Sequence, residues 1–185
     1  MVTAEVPVQA LVPPEIRIRW ASADDHAAFR EVVRRTRQAA YGALISAEGL
    51  AAAAANATPV RRTWLVGGAT PIGLLVAVRD DAVVGGAELE LLPSGDGELA
   101  TFYVLPDQQG RGVGIALWEA SAQALRERGV AALQVWTMTA ATWSRRFYER
   151  RGATAFATGA VFIGDEELPH TGYRLALTPA APDAR

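Results

Sequence analysis

The chain has 185 residues, of which half are hydrophobic and 21% are charged, and this is the composition of one globular domain. Its net charge of −2 lacks the basic excess that nucleic-acid-binding proteins carry, so we expect no nucleic-acid partner. Cysteine and lysine are both absent, which excludes a thiol nucleophile, a disulfide framework, a Schiff-base lysine and a P-loop lysine.

Metal and membrane binding are also disfavoured by the sequence. The two histidines, His26 and His170, are too few and too far apart for a histidine metal site, so we expect no metal. The first residues do not resemble a secretory signal, and no uncharged apolar run approaches the ~18–20 residues that span a bilayer. We therefore expect a cytoplasmic protein with no membrane partner.

Hydrophobic periodicity predicts one α/β domain over 15–177, between a flexible N-terminal arm at 1–14 and a flexible C-terminal tail at 178–185. Ser22 and Asp25 have capping-box spacing at the start of the first helix, and Asp80-Asp81 predicts a turn. Gly129 and Gly152 are expected to end two later helices. The predicted order is a strand at 16–20, helices to about 41 and at 47–55, strands at 74–78, 82–91 and 98–105, a helix at 113–128, a strand at 131–136, a helix at 141–151, and strands at 154–163 and 171–177. This is a mixed α+β order around one central sheet.

The segment after the strand at 98–105 carries the strongest functional signal. Pro106 ends the strand, Gly110, Gly112 and Gly114 alternate through the loop, and a helix begins at once. Alternating glycines let the backbone approach a ligand closely, and the first amides of a helix favour an anion. The pattern predicts a phosphate or pyrophosphate site, with a purely structural turn as the alternative. It is not the Gly-x-Gly-x-x-Gly of a dinucleotide fold.

These residues resemble a known family. Gln109-Gly110-Arg111-Gly112-Val113-Gly114 matches the Gln/Arg-x-x-Gly-x-Gly/Ala motif of the GNAT superfamily of acyl-CoA-dependent N-acyltransferases, and Phe147-Tyr148 followed by Gly152 resembles its Phe-Tyr-x-x-x-Gly signature. The order of elements is similar from about 16 to 177. The resemblance implies a central mixed, mostly antiparallel sheet flanked by helices, with a splay between the fourth and fifth predicted strands.

The resemblance also implies acetyl-CoA as co-substrate and a set of residues that bind it. Backbone amides across the glycine loop would hold the pyrophosphate, the strand backbone would bind the pantetheine arm, and the Val104 N–H would polarise the thioester carbonyl. One departure is Ala141, where members of the family commonly carry an asparagine, so that one cofactor contact is lost unless Thr139 or Ser144 supplies it. The implied cofactor-binding residues are Phe102, Val104, Gln109, Gly110, Arg111, Gly112, Val113 and Gly114.

Two further side chains are candidates for proton transfer. The resemblance implies that Tyr148 donates a proton to the departing thiolate, and packing of a helix on the sheet is the alternative role. Glu98 is the candidate base that activates the amine through water. Glu88 and Glu90 are its rivals, and each of the three carboxylates is also explained as a solvated strand residue.

The leading hypothesis is an N-acetyltransferase that moves an acetyl group to a primary amine of a small molecule or peptide, directly and within a ternary complex. An acyl-CoA sensor without turnover is the alternative, and a nucleotide-binding protein unrelated to CoA is a third hypothesis. Tyr41 and Trp64 are candidates for lining the acceptor pocket because of their position. A homodimer is an expectation at the level of the family.

Overall fold

A computed structural model describes residues 16–42, 44–54, 60–62, 68–163 and 166–177. The predicted arm, the predicted tail and Trp64 lie outside the described residues. A 3₁₀ turn at Pro106–Gln108 precedes the third helix. In chain order the elements are β1 (Arg17–Trp20), α1 (Asp25–Tyr41), α2 (Ala47–Ala54), β2 (Val60–Arg62), β3 (Thr70–Arg79), β4 (Ala82–Leu91), β5 (Gly97–Val104), α3 (Val113–Arg126), β6 (Ala132–Met138), α4 (Thr142–Glu149), β7 (Thr154–Ile163) and β8 (Glu166–Ala176).

The described strands form one sheet in the order β1-β3-β4-β5-β6-β8-β7-β2. All neighbouring strands are antiparallel except β5 and β6, which are parallel. The predicted mixed, mostly antiparallel sheet is therefore confirmed. The sequence pattern did not indicate β2, a three-residue strand that pairs with β7 at the edge. Because β2 precedes them, the predicted fourth and fifth strands are β5 and β6.

Two strands begin four or more residues earlier than predicted, because each contains a residue that usually breaks a strand. β3 begins at Thr70 rather than 74, ahead of Pro71 and Gly73. β8 begins at Glu166 rather than 171 and includes Pro169. The β6–β8 ladder ends at His170, so Pro169 lies beyond it and needs a strand partner on one side only.

The sheet opens between β5 and β6. Their parallel ladder joins only Gly97–Leu99 to Leu133–Val135. Beyond it, β5 continues to Val104 and β6 continues to Met138 without pairing to each other. The splay that the family resemblance implies is therefore confirmed, and it lies next to the glycine loop.

The two faces of the sheet are covered by different helices. On one, which we call the α3 face, Leu117, Trp118 and Leu125 of α3 pack into the main core. On the other, the α1 face, Phe29 and Val32 pack against β3. This arrangement buries the apolar stripe of each helix against the sheet.

A β-bulge changes the facing of side chains along β5. Leu99 pairs with Leu89 and Thr101 pairs with Glu88, so Ala100 has no partner in β4. Before the bulge Leu99 belongs to the α3-face core. After it Phe102 packs edge-on against Trp118 of α3 at 6.4 Å between ring centroids. Residues 99 and 102 therefore share a face, which simple alternation forbids.

The predicted turns and helix ends have the expected backbone. Asp80 and Asp81 adopt φ of +49° and +57° in the β3–β4 hairpin. Gly152 adopts φ of +81°, and the next amide, that of Ala153, donates to the Tyr148 carbonyl at 3.2 Å. Gly129 ends α3 in the same way, with φ of +71°. These closures are of the Schellman type and end α4 after Glu149.

The predicted capping box at α1 is built differently from the usual one. The Asp25 carboxylate accepts hydrogen bonds from the Ser22 backbone N–H at 2.7 Å and from the Ser22 hydroxyl at 2.9 Å. It also accepts two from the Arg19 guanidinium, at 2.7 and 2.8 Å. The Arg19 hydrogen bonds are the main cause that holds the pKa of Asp25 well below its usual range. The start of α1 is thus tied to β1 through a charged pair.

Replacement of Asp25 by Asn is expected to lower the free energy of unfolding by about 2 kcal/mol at neutral pH, because charge-assisted hydrogen bonds are lost. The folded-state pKa of Asp25 is depressed, so its contribution is present above pH ~4 and is lost as the pH falls below that value. Urea unfolding of the parent protein and the variant at pH 7 and pH 3.5 measures this contribution. The difference between their free energies of unfolding should be smaller at pH 3.5. Asp24→Asn is the matched control, because Asp24 precedes the helix without a side-chain cap bond. Equal losses in the two variants would contradict the assignment.

Candidate active site

The open edge of β5 presents backbone amides to the gap. The Leu105 N–H donates to the Val84 carbonyl of β4 at 2.9 Å. Because the groups of successive residues in a strand point to alternate edges, the amides of Phe102 and Val104 point away from β4, towards β6. The β5–β6 ladder has already ended there. These two amides therefore have no ladder partner among the described residues.

The Val104 carbonyl is held from two sides. It accepts a hydrogen bond from the Thr36 hydroxyl of α1 at 3.1 Å and another from the Gln109 side-chain amide at 3.1 Å. The Gln109 side chain thus fixes the end of β5. The Gln109 backbone amide is the part of this residue that the family resemblance assigns to the pyrophosphate. Thr36 was not predicted as a site residue. A polar residue on the otherwise apolar, buried stripe of α1 is the sequence signal that could have identified it.

The glycine loop has the backbone conformation that its sequence predicts. Gly110 and Gly112 adopt φ of +74° and +86°, in the left-handed region that disfavours side chains. A Cβ at Gly114 would make ordinary contacts, at 3.5 Å to the Phe147 ring and 3.9 Å to Val104. Of these three glycines, Gly110 and Gly112 are needed for conformation and Gly114 tolerates a methyl group.

The start of α3 points unsatisfied amides at this loop. Its first helical hydrogen bond runs from the Ala116 N–H to the Gly112 carbonyl at 3.0 Å. The amides of Val113, Gly114 and Ile115 therefore have no acceptor within the helix. With the helix dipole they make a site suited to an anion. The Arg111 side chain is exposed at the same loop.

Tyr148 lies in an aromatic cluster on the α3 face. Its ring centroid is 5.5 Å from that of Phe147, 5.6 Å from Trp118, 5.8 Å from Tyr173 and 6.4 Å from Phe102. The side chain is 5% exposed, and burial raises the pKa of Tyr148 above its ordinary value. The hydroxyl is therefore protonated throughout the neutral range.

Tyr148 also interacts with polar groups that belong to the other face. Its pKa is raised further by Tyr103, which follows Phe102 on β5 and faces α1. The Tyr103 hydroxyl accepts a hydrogen bond from the Arg37 Nε–H of α1 at 3.1 Å. Burial first, and then Tyr103 and Tyr148, raise the pKa of Tyr41. We call Arg37, Tyr41, Tyr103 and Tyr148 the tyrosine cluster; it joins the two faces at the opening.

Glu98 is buried rather than solvated. Its side chain is 1% exposed, and its register partner in β4 is Glu90. Leu99 belongs to the α3-face core, so alternation places Glu98 on the α1 face. Glu88, which pairs with Thr101, is on that face as well and is half-buried. Along the strand Glu98 is about 13 Å from Phe102, at ~3.3 Å per residue.

The departure at Ala141 has a clear structural context. Ala141 is fully buried just before α4. The Ser144 hydroxyl donates to the Ala141 carbonyl at 3.0 Å and lies 2.7 Å from the Thr137 hydroxyl. The Thr139 hydroxyl lies 3.0 Å from that of Thr171. Both hydroxyls that were candidates to replace the asparagine therefore already have partners within the protein.

Two negative findings concern only the described ranges. Among their residues no three His, Cys, Asp or Glu side chains are grouped so that they could hold a metal ion. None of the helices in the same ranges is both long and apolar enough to cross a membrane.

Solved structures with the same fold are numerous. The ribosomal-protein-S18-alanine N-acetyltransferase from Escherichia coli is 18% identical, with a TM-score of 0.64 over 92% of this chain and 99% of that one. The PaiA N-acetyltransferase from Thermoplasma acidophilum, solved with coenzyme A, is 16% identical, with a TM-score of 0.61 over 84% and 97%. The putative acetyltransferase YncA from Salmonella typhimurium, solved with acetyl-CoA, is 24% identical, with a TM-score of 0.62 over 92% and 99%.

Sequence comparison gives the family itself. A comparison with curated proteins found no match. The model of the acetyltransferase (GNAT) family matches residues 33–153, well over half of the chain, and this range includes the glycine loop, the opening between β5 and β6, and Tyr148. The chain therefore belongs to the GNAT family of acetyltransferases.

Proposed function

We propose that this protein is an N-acetyltransferase that moves the acetyl group of acetyl-CoA directly to a primary amine of a small molecule or peptide, within a ternary complex. The observation that carries the proposal is the opening between β5 and β6. Two ladder-free amides of β5 and the amide-rich start of α3 lie beside this opening, and the Tyr148 ring lies 6.4 Å from that of Phe102 of β5. The solved structures with acetyl-CoA and coenzyme A support the choice of co-substrate.

The described residues fit acetyl-CoA. The amides of Phe102 and Val104 offer an extended pantetheine chain the hydrogen bonds that a further strand would make. Backbone amides across Gln109–Gly114, including those of Arg111 and Val113, suit the pyrophosphate. When bound, acetyl-CoA supplies an activated acetyl group as a thioester.

The reaction needs three functions from the protein. The amine nitrogen attacks the thioester carbon, a C–N bond forms, the C–S bond breaks, and the proton lost by the amine balances the one gained by the thiolate. The Val104 N–H stabilises the oxygen that becomes negative. Glu98 accepts the amine proton through water, and Tyr148 donates its proton to sulfur.

The decisive experiment follows thiol release from acetyl-CoA with a panel of primary amines. Amine-dependent thiol release, together with the acetylated amine in the mass spectrum, supports the proposal. Tight acetyl-CoA binding in calorimetry without thiol release for any amine would identify an acyl-CoA sensor instead. Binding of ATP or NAD in preference to acetyl-CoA would contradict both.

Glu98→Gln is expected to lower turnover about 10-fold or more, most strongly at low pH, where free amine is scarce. The physical reason is that a carboxylate gives the ammonium form a route to lose its proton, which an amide does not. The pH dependence of kcat/KM measures the effect. Glu90→Gln is the matched control, since Glu90 is the register partner of Glu98. If the pH profile of Glu98→Gln overlays that of the parent protein, Glu98 is not the base. A loss of kcat/KM in Glu90→Gln or Glu88→Gln would then assign the base to β4.

A further inference from the structure

Arg37 differs in its partners from the ion-paired arginines of the described chain. Arg19, Arg34 and Arg174 each form an ion pair with a carboxylate at 2.6–2.9 Å. The half-buried Arg37 instead donates through Nε to the Tyr103 hydroxyl at 3.1 Å, and its guanidinium carbon lies 5.5 Å from the Tyr103 ring centroid. Within the described residues neither of its terminal amino groups has an acceptor.

The Arg37 guanidinium is partly withdrawn from water, and this loss of hydration is unfavourable unless something compensates for it. The aromatic ring of Tyr103 compensates in part. The charge is retained, because Tyr103 first, and then Tyr41 and Glu88, hold the pKa of Arg37 above its ordinary value. The terminal amino groups form a fork of donors, and a carboxylate is the group that fits such a fork with two parallel hydrogen bonds.

The position of this fork connects it to the acceptor. Arg37 contacts Tyr103, and Tyr103 interacts with Tyr148, the proposed proton donor. The preceding residue on α1, Thr36, holds the Val104 carbonyl. The Arg37 guanidinium is on the α1 face. The glycine loop leads into α3, which covers the other face of the sheet. The fork therefore lies beside the reacting end of the gap and apart from the pyrophosphate site.

We infer that the acceptor is an amine that also bears a carboxylate, as an amino acid does, and that Arg37 binds this carboxylate while the amine is acetylated. The inference rests on the proposed function and specifies its substrate class. The carboxylate is not consumed in the reaction. When bound to Arg37, the carboxylate fixes the position of the amine. Arg37 is therefore a specificity residue that contributes to the binding of the acceptor rather than of acetyl-CoA.

The test compares amino acids with the amines that remain when the carboxylate is removed, such as phenylalanine with phenethylamine and leucine with 3-methylbutylamine. We expect the parent protein to prefer the amino acid of each pair by roughly 10–100-fold in kcat/KM, the value of charge-assisted hydrogen bonds. Arg37→Gln should remove the preference and leave the KM for acetyl-CoA unchanged. Arg37→Lys should retain part of it. β-Alanine and γ-aminobutyrate measure the spacing between amine and carboxylate that the site accepts.

Controls separate this inference from the proposed function. Arg35→Gln changes an exposed arginine of the same helix and should keep the preference. Circular dichroism checks that the Arg37 variants fold. Equal activity on both members of each pair, or an Arg37→Gln defect confined to the KM for acetyl-CoA, would overturn the inference and leave the acetyltransferase intact. If no amine releases thiol, the proposed function fails, and calorimetry of amino acids in the presence of CoA tests the carboxylate site by itself. Amino-acid binding that is lost in Arg37→Gln would support the site. No binding to the parent protein would overturn the inference as well.

Discussion

Replacement of Gly112 by valine is expected to abolish acetyl-CoA binding, with Kd rising by at least roughly 100-fold. Gly112 adopts φ of +86° immediately before α3 and accepts the first helical hydrogen bond. A β-branched residue is strongly disfavoured at this φ, so the backbone must rotate and the amides of Val113 and Gly114 turn with it. Because the proposed phosphate site consists of backbone amides, no side chain can replace what the rotation removes. Calorimetric titration with acetyl-CoA measures the loss.

Strain alone must be separated from loss of the site. Gly95→Val is a matched control, since Gly95 has φ of +85° in the turn between β4 and β5 and a Cβ there would have no neighbour within 4 Å. Both variants should lose stability of the order of 1–3 kcal/mol through backbone strain. Only the Gly112 variant should lose acetyl-CoA binding. Equal affinities in the two folded variants would remove the phosphate site from the glycine loop.

Replacement of Tyr148 by phenylalanine is expected to lower kcat by roughly 100-fold while the affinity for acetyl-CoA changes little. Negative charge develops on sulfur as the C–S bond breaks, so a hydroxyl that donates there is stabilising mainly in the transition state. Burial raises the pKa of Tyr148, which keeps its proton available across the whole pH range in which the protein is folded and the amine is reactive. The loss in kcat should therefore be the same from pH 6 to pH 9. Steady-state and single-turnover measurements over that range test the expectation.

The control for Tyr148 comes from the same aromatic cluster. Tyr173→Phe removes a hydroxyl that donates to Glu149 at 2.8 Å and accepts from Arg145 at 3.0 Å. It should affect stability rather than kcat, because its hydrogen-bond partners are the exposed Glu149 and the half-buried Arg145 rather than groups of β5. An effect of Tyr148→Phe on KM alone would make the hydroxyl a binding group, and no effect on either constant would return Tyr148 to packing.

Elements with a strong local signal are predictable from this sequence. The glycine loop is one, because Gly110 and Gly112 are required by a left-handed backbone and their alternation stands out next to Pro106. The hairpin at Asp80-Asp81 is another, since both residue types tolerate positive φ. The splay between β5 and β6 was predicted from the family resemblance alone, because no property of Val104 or its neighbours in the sequence indicates it. The positions of the tyrosines follow only from that fold.

What the sequence could not give depends on contacts between distant segments. Glu98 looks like a solvated strand residue because the elements that cover it are far away in sequence, yet it is 1% exposed. Arg37 lies among several arginines of α1, and nothing local distinguishes it from the ion-paired Arg34. Its difference arises from Tyr103, 66 residues later. Side-chain pairing across a sheet is not encoded in the periodicity of either segment.

The bulge at Ala100 makes the backbone conformation at one residue of β5 a determinant of its chemistry. If Ala100 were part of a regular strand, each of the next four side chains would turn to the opposite face. Tyr103 would then enter the core beside Trp118, and Phe102 would lie on the face of Arg37. Loss of Ala100 itself would have no such effect, because Leu99 and Thr101 already pair with adjacent residues of β4 and would follow each other in regular alternation. The effect of a deletion in β5 therefore depends on its position: at the bulge it preserves every facing, whereas between Thr101 and Val104 it turns over the residues that follow.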